Sequence, residues 1–270
     1  MKIDTSQVNL TKNLALLTAQ RVLKRKSTWV FLMLGLAPCL IFLFWAATQI
    51  FPNLNPPVKP YAMFERIQSM YYVTFYVPIL ALFMGLGAVA DEIETKNITF
   101  TLTRPLSRFS IAFGRVFGYL LAGVTLVTTS LIMAYLSNML FQVENIIERL
   151  PNLFNGIVVL SFGVTAYLSV IALFGAVLKR YAIFLGLVWM AIDTVFSLVP
   201  RSSMIEFFNI RYRMLSSYWE LLPQNLPSIV PVEPGSMVLN AIVCLAFAVI
   251  ACVLMGFRLS FEIVLSDSAK

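Results

Sequence analysis

The sequence predicts an all-α, polytopic membrane protein with six transmembrane helices, and two observations carry that prediction. The first is composition. Charged residues make up 12% of the 270 residues and hydrophobic ones 59%. An average globular domain carries about 25% charged residues, so a soluble chain of this size would lack the polar surface to cover itself. The second is segment length. Residues 28–48, 71–90, 116–136, 157–177, 181–199 and 237–257 form apolar windows in which the one ionisable residue is Asp193. A bilayer core of ~30 Å needs about 20 apolar residues in helical form. Lipid offers the backbone no partner, so each window is read as a helix.

Before the first window, residues 5–27 place Leu10, Leu14, Leu17 and Arg21 on one helical stripe, and Lys24, Arg25 and Lys26 abut the apolar run. This is the pattern of an interfacial amphipathic helix with its cations against anionic membrane lipid. The first window starts only at Thr28, after a longer polar stretch than a cleavable leader has, and is expected to be retained. The connection at 49–70 holds Pro52, Pro56, Pro57 and Pro60 and reads as extended, with a short helix from Ala62. After the third window, Glu144 and Glu148 precede Pro151 in a short connection. Little more than Lys179 and Arg180 separates the fourth and fifth windows, which requires a tight antiparallel hairpin.

The segment 201–235 is the most patterned connection. Ile205, Phe208, Tyr212, Leu215, Trp219 and Leu222 recur at three- and four-residue spacing. Ser203 with Glu206 makes a capping box, and Pro223 stops the run. The expectation is an amphipathic helix over 203–222 at the outer membrane interface. Phe208, Tyr212, Leu215 and Trp219 would face the apolar side, with Glu206, Arg213 and Glu220 toward water.

Charge gives an orientation. Of the 20 Lys and Arg residues, 14 lie in the amino-terminal segment, the loop after the second window, the Lys179–Arg180 turn and the carboxyl tail. Basic residues concentrate on the cytoplasmic side, which puts both termini there, in a plasma membrane. The net charge of +7 is mostly this signal, and no nucleic-acid motif accompanies it. The chain has no histidine, which removes His-based catalytic triads and His-ligated metals. Cys39, Cys244 and Cys252 all sit inside windows without a CxxC pair and read as packing residues. There is no phosphate-binding GxxxxGK[ST] loop and no GxGxxG turn. The residues therefore assign no catalytic, cofactor or metal site.

Two polar features remain. Asp193 is the only acid deep in a window, where a lipid-facing carboxylate is costly. It either caps a neighbouring group or pairs at a subunit interface, or it binds a proton in transport. The other is the loop 91–115, "DEIETKNITFTLTRPLSRFSIAFGR". It combines Asp91, Glu92 and Glu94 with Arg104 and Arg108, and apolar Phe100 and Leu102 with a break at Pro105. Acids are not needed for a cytoplasmic loop, so mixed charge with apolar knobs favours a docking surface over a solvated linker.

That loop resembles one in the permease subunits of type-2 ABC transporters, which reads roughly E-x-x-x-G-T-L-x-x-L-L-x-x-P-[VI]-S-R and then Gly-Lys. Glu92, Leu102, Pro105, Leu106, Ser107, Arg108 and Gly114-Arg115 occupy the matching places. Lys96-Asn97-Ile98 replaces the usual Gly-Thr-Leu. The resemblance implies a single permease domain whose loop is a coupling helix, with Glu92, Glu94, Phe100, Leu102, Arg104, Pro105 and Arg108 against a separate ATPase. It also implies two ATPase copies holding ATP and magnesium, a second permease copy or close paralogue, and export. The rival readings are a proton-coupled carrier using Asp193 and a non-transport scaffold or assembly factor.

Overall fold

A computed structural model describes residues 5–50, 60–94, 108–140, 146–178, 181–198, 208–220 and 235–267. These residues are helical and contain no strand. In chain order the helices are α1 (Thr5–Leu23), α2 (Lys26–Ile50), α3 (Pro60–Ile67), a π-helical segment (Gln68–Tyr76), α4 (Val77–Glu94), α5 (Arg108–Asn138), α6 (Ile146–Leu178), α7 (Ala182–Leu198), α8 (Ile210–Glu220) and α9 (Met237–Asp267).

Among the described residues, five stretches are long and apolar enough to cross a membrane: Lys26–Phe44, Met63–Ala88, Phe113–Asn138, Ile146–Leu178 and Met237–Arg258. The expectation of six spans is met only to that extent. The fifth window forms α7, an apolar helix of 17 residues. At ~1.5 Å per residue it reaches about 25 Å, short of a full bilayer core.

Other boundaries also move. The connection read as 49–70 is helical from Pro60 onward, where proline suits a first helical turn, and α3, the π segment and α4 run on as one rod over 60–94. The loop read as 91–115 contracts from both sides. Residues 91–94 end α4 and residues 108–115 begin α5.

α6 is the centre of the bundle. It packs against α4, α9, α5, α8 and α7, and Val164, Ala166, Leu168, Ile171 and Ala172 are wholly buried. α7 lies outside, with Ile183, Phe184, Leu187, Val195 and Phe196 exposed. Cys244 and Cys252 are buried free thiols, and Cys39 is half-buried.

α1 does not stand apart from the bundle. It turns at Lys24–Arg25 and packs along the start of α5. Thr28 Oγ1 donates to the Val22 carbonyl at 2.5 Å and fastens that turn. Gly114 and Gly118, four residues apart, make the close approach possible. A Cβ on Gly118 would lie 2.6 Å from the Ala15 carbonyl oxygen, and one on Gly114 3.2 Å from that of Thr11. Ala15, Ala19 and Val22 are buried in this contact, whereas Leu10 and Leu17 of the leucine stripe remain exposed.

Candidate functional site

The structure separates the sequence-predicted residues into two groups at opposite ends of the bundle. Glu92 and Glu94 lie in the last turn of α4, and Arg108 opens α5. Phe100, Leu102, Arg104 and Pro105 lie outside the described residues, as do Ser203, Glu206 and Leu222. At this end α1 is seated on the first turns of α5.

The middle of the bundle holds an arrangement that sequence reasoning missed. The π segment places Tyr71, Tyr72 and Tyr76 against α2. The Tyr71 hydroxyl donates to the Leu34 carbonyl at 2.5 Å. The Tyr72 hydroxyl lies 2.8 Å from the Gly35 carbonyl and 3.2 Å from that of Ser130. The Tyr76 hydroxyl lies 3.2 Å from the Phe31 carbonyl and 3.4 Å from Ser130 Oγ. Pro38 inside α2 explains why a carbonyl is on offer. It has no N–H to give to Leu34, four residues back, and an orphaned buried carbonyl would be costly. Tyr71 fills that vacancy. The signal was present in Pro38, but its partner, 33 residues on, was not predictable from local pattern.

At the far end, α8 is a short polar helix driven into the bundle. It packs on α6, α9, the π segment and α7. Arg211, Arg213, Ser216 and Ser217 are buried at 6%, 8%, 2% and 0% exposure, and Phe208 is 59% exposed. This corrects the expected orientation. The 3-4 stripe predicts water on one side and lipid on the other, but much of the surroundings is protein. Tyr212 is half-buried and Leu215 buried, as an inward face requires. Trp219 lies within the helix, without a described side chain.

A polar helix so placed needs partners for its groups, and most are in place, although Arg211 Nε and Nη1 and the Tyr218 hydroxyl have no hydrogen-bond partner among the described residues. Asp193, 4% exposed on α7, accepts from the Ile210 N–H at 3.1 Å through Oδ1 and from the Arg211 N–H at 3.3 Å through Oδ2. The Tyr167 hydroxyl donates to the same Oδ2. Asn209 caps the helix by accepting from the Tyr212 N–H at 2.7 Å, and its amide donates to the Asp193 carbonyl at 2.9 Å. The carboxylate thus serves the orphan donors of a helix N-terminus. Arg211 Nη2 donates to Thr74 Oγ1 on the π segment at 2.9 Å. Burial pulls its guanidinium below the usual range, and the nearby Tyr167 and Asp193 push it back. On the other side Arg213 Nη1 donates to Asn240 Oδ1, and the Asn240 amide reaches Ser216 and Ser217, all at 2.8 Å.

The chain therefore joins the connection after α4 to the polar helix α8 through one continuous rod, and the rod is bonded to α2 in its middle. Residues 4–209 match the ABC-2 family transporter protein family. No curated protein matches the chain. With a matched region that takes in α1 to α7 and the connection after α4, the chain belongs to the ABC-2 transporter family, the membrane-spanning permeases of ATP-binding-cassette transporters.

Proposed function

We propose that this permease is the translocation subunit of an ATP-driven exporter in a bacterial cytoplasmic membrane, with six passes and both termini in the cytoplasm. α7 makes the fifth pass as a short helix, and the exposed leucines of α1 rest in the lipid interface. Two permeases, identical or paralogous, enclose the path, and two ATPase subunits carrying ATP and magnesium dock beneath. The loop residues Glu92, Glu94, Phe100, Leu102, Arg104, Pro105 and Arg108 form the coupling surface.

The observation that carries this reading is the unbroken helical rod over 60–94, which begins beside α8 and ends in the acidic turn that enters the loop. Closure of the ATPases pushes the loop, and the push reaches Thr74 and Arg211 without crossing a flexible joint. The tyrosine contacts carry α2 along. Asp193 has both oxygens committed to α8 and Tyr167, an arrangement that favours a structural carboxylate over a transported-proton site.

The test is co-purification of the ATPase with Glu92→Lys, Phe100→Ala and Arg108→Glu permeases, together with substrate-dependent ATP hydrolysis in liposomes. Truncating a buried interfacial charge costs about 2–5 kcal/mol, and an exposed pair about 0–1. At least one variant is expected to insert normally yet lose association or coupling. Wild-type behaviour in all three removes the coupling assignment.

A further inference from the structure

The turn between α1 and α2 lies between two hollows that share a residue. The first, about 380 Å³, is lined by Leu17, Gln20, Arg21, Lys24 and Arg25. The second is a groove of about 600 Å³ that begins at Arg25 and Thr28 and passes between α2, α4, Tyr119 of α5 and Ile183 at the start of α7. Its floor is buried, with Met84, Leu86 and Tyr119 at 4%, 8% and 6% exposure, whereas Val30, Phe83 and Ile183 on its rim are exposed. The groove thus opens outward from the bundle.

Its depth and charge select the occupant. Thr28 and Leu34 are six residues apart on α2, and Ile79 and Gly87 eight apart on α4. At ~1.5 Å per residue the groove runs about 9–12 Å along the helices, within one ~15 Å half of the bilayer core. Beyond Thr28 its lining is apolar except for the Tyr119 hydroxyl. At the mouth, Arg21 and Arg25 stand four residues apart with Lys24 between them, and like charges at that spacing repel. No acid among the described residues lines either hollow. A soluble anion would relieve the repulsion and leave the apolar walls bare. A phospholipid does both, with its phosphate at the level of the turn and an acyl chain against the walls. We infer that the permease binds one anionic phospholipid, its head group on Arg21, Lys24 and Arg25 and one acyl chain in the groove. A general attraction of the basic turn to anionic lipid needs no groove and fixes no stoichiometry, whereas here one lipid has one place. That chain bridges α2 to the start of α7.

The test is lipid binding to the delipidated full-length permease in neutral detergent, counted by native mass spectrometry. Wild type is expected to take up one palmitoyl-oleoyl phosphatidylglycerol ahead of any further lipid. Half-saturation should come at a concentration roughly tenfold below that of phosphatidylcholine with the same chains. Arg21→Gln combined with Lys24→Gln, both exposed side chains, should cut that preference to about twofold. Ile79→Trp, which fills the groove, should weaken both lipids roughly tenfold. Glycerol 3-phosphate should displace neither. Equal affinity of wild type for the two lipids overturns the proposal, as does an unchanged preference in the double variant. Unchanged binding to Ile79→Trp overturns it too, since the lipid would then sit on the surface without the groove. Displacement by glycerol 3-phosphate would make the turn a site for free anions instead. Should Ile79→Trp not fold, Val30→Trp at the exposed rim takes its place with the same expected loss.

Discussion

The two ends of the bundle attach their peripheral helices by opposite means. At one end α1 rests on α5 through Gly114 and Gly118, with backbone almost touching backbone. At the other end α8 is held by hydrogen bonds, from Asp193 and Asn209 at its start to Asn240 along its side. Close packing of small residues makes no directed bond and depends on shape alone. A network of buried polar groups has one satisfied arrangement and is expensive in any other. The contrast implies that α1 is released by added bulk, whereas α8 is released by the loss of a polar partner.

The strongest way to break the comparison is Asp193→Ala. It strands two backbone N–H groups and the Tyr167 hydroxyl, and removes the anion beside Arg211. A loss of about 3–5 kcal/mol is expected, read as a collapse in the yield of monodisperse protein. Asp193→Asn keeps an acceptor oxygen and should fall between that and wild type. Unchanged stability for Asp193→Ala would mean that α8 is held by packing alone.

Gly118→Leu comes next. The added side chain meets the Ala15 carbonyl, and overpacking of this kind costs about 1–3 kcal/mol. The expected result is a bundle that still inserts but whose amino-terminal residues become accessible to protease. An amino terminus as protected as in wild type would show that α1 does not depend on the small-residue contact.

Tyr71→Phe removes one hydrogen bond to the Leu34 carbonyl and should cost about 0.5–1.5 kcal/mol. Combining it with Pro38→Ala sharpens the point. The restored N–H can satisfy Leu34 within α2, so the double variant should recover part of the loss. Additive losses would deny that the two residues share a carbonyl. The smallest effect belongs to Phe208→Ala. That side chain is exposed despite its place in an apolar stripe, and the change should stay within about 0.5 kcal/mol.

Much of this was legible in the sequence, for a physical reason. A helix in lipid must be long, apolar and continuous, so the five spanning helices are written in uninterrupted windows. The rule also singled out Asp193, because charge in such a window needs an explanation. It could not supply the partners. Ile210, Arg211 and Tyr167 lie 17 to 26 residues away, and only tertiary packing brings them together. The stripe from Phe208 to Trp219 gave the helix but not its surroundings, since a periodic pattern fixes which residues share a face and not what that face meets. The π segment left no trace, because a change from i→i+4 to i→i+5 bonding has no signature in local residue pattern.

Pro38 has one more consequence. An ordinary transmembrane helix is smooth to its neighbours, since its carbonyls are spent on itself. α2 instead presents an unspent carbonyl at Leu34, and Tyr71 grips it. That grip is the first of three such contacts, because Tyr72 and Tyr76 hold the Gly35 and Phe31 carbonyls beside it. A lengthwise slip of α2 by one turn, ~5.4 Å, or a roll of the rod about its own axis would break all three together. The two helices are therefore pinned to one another and shift as a unit.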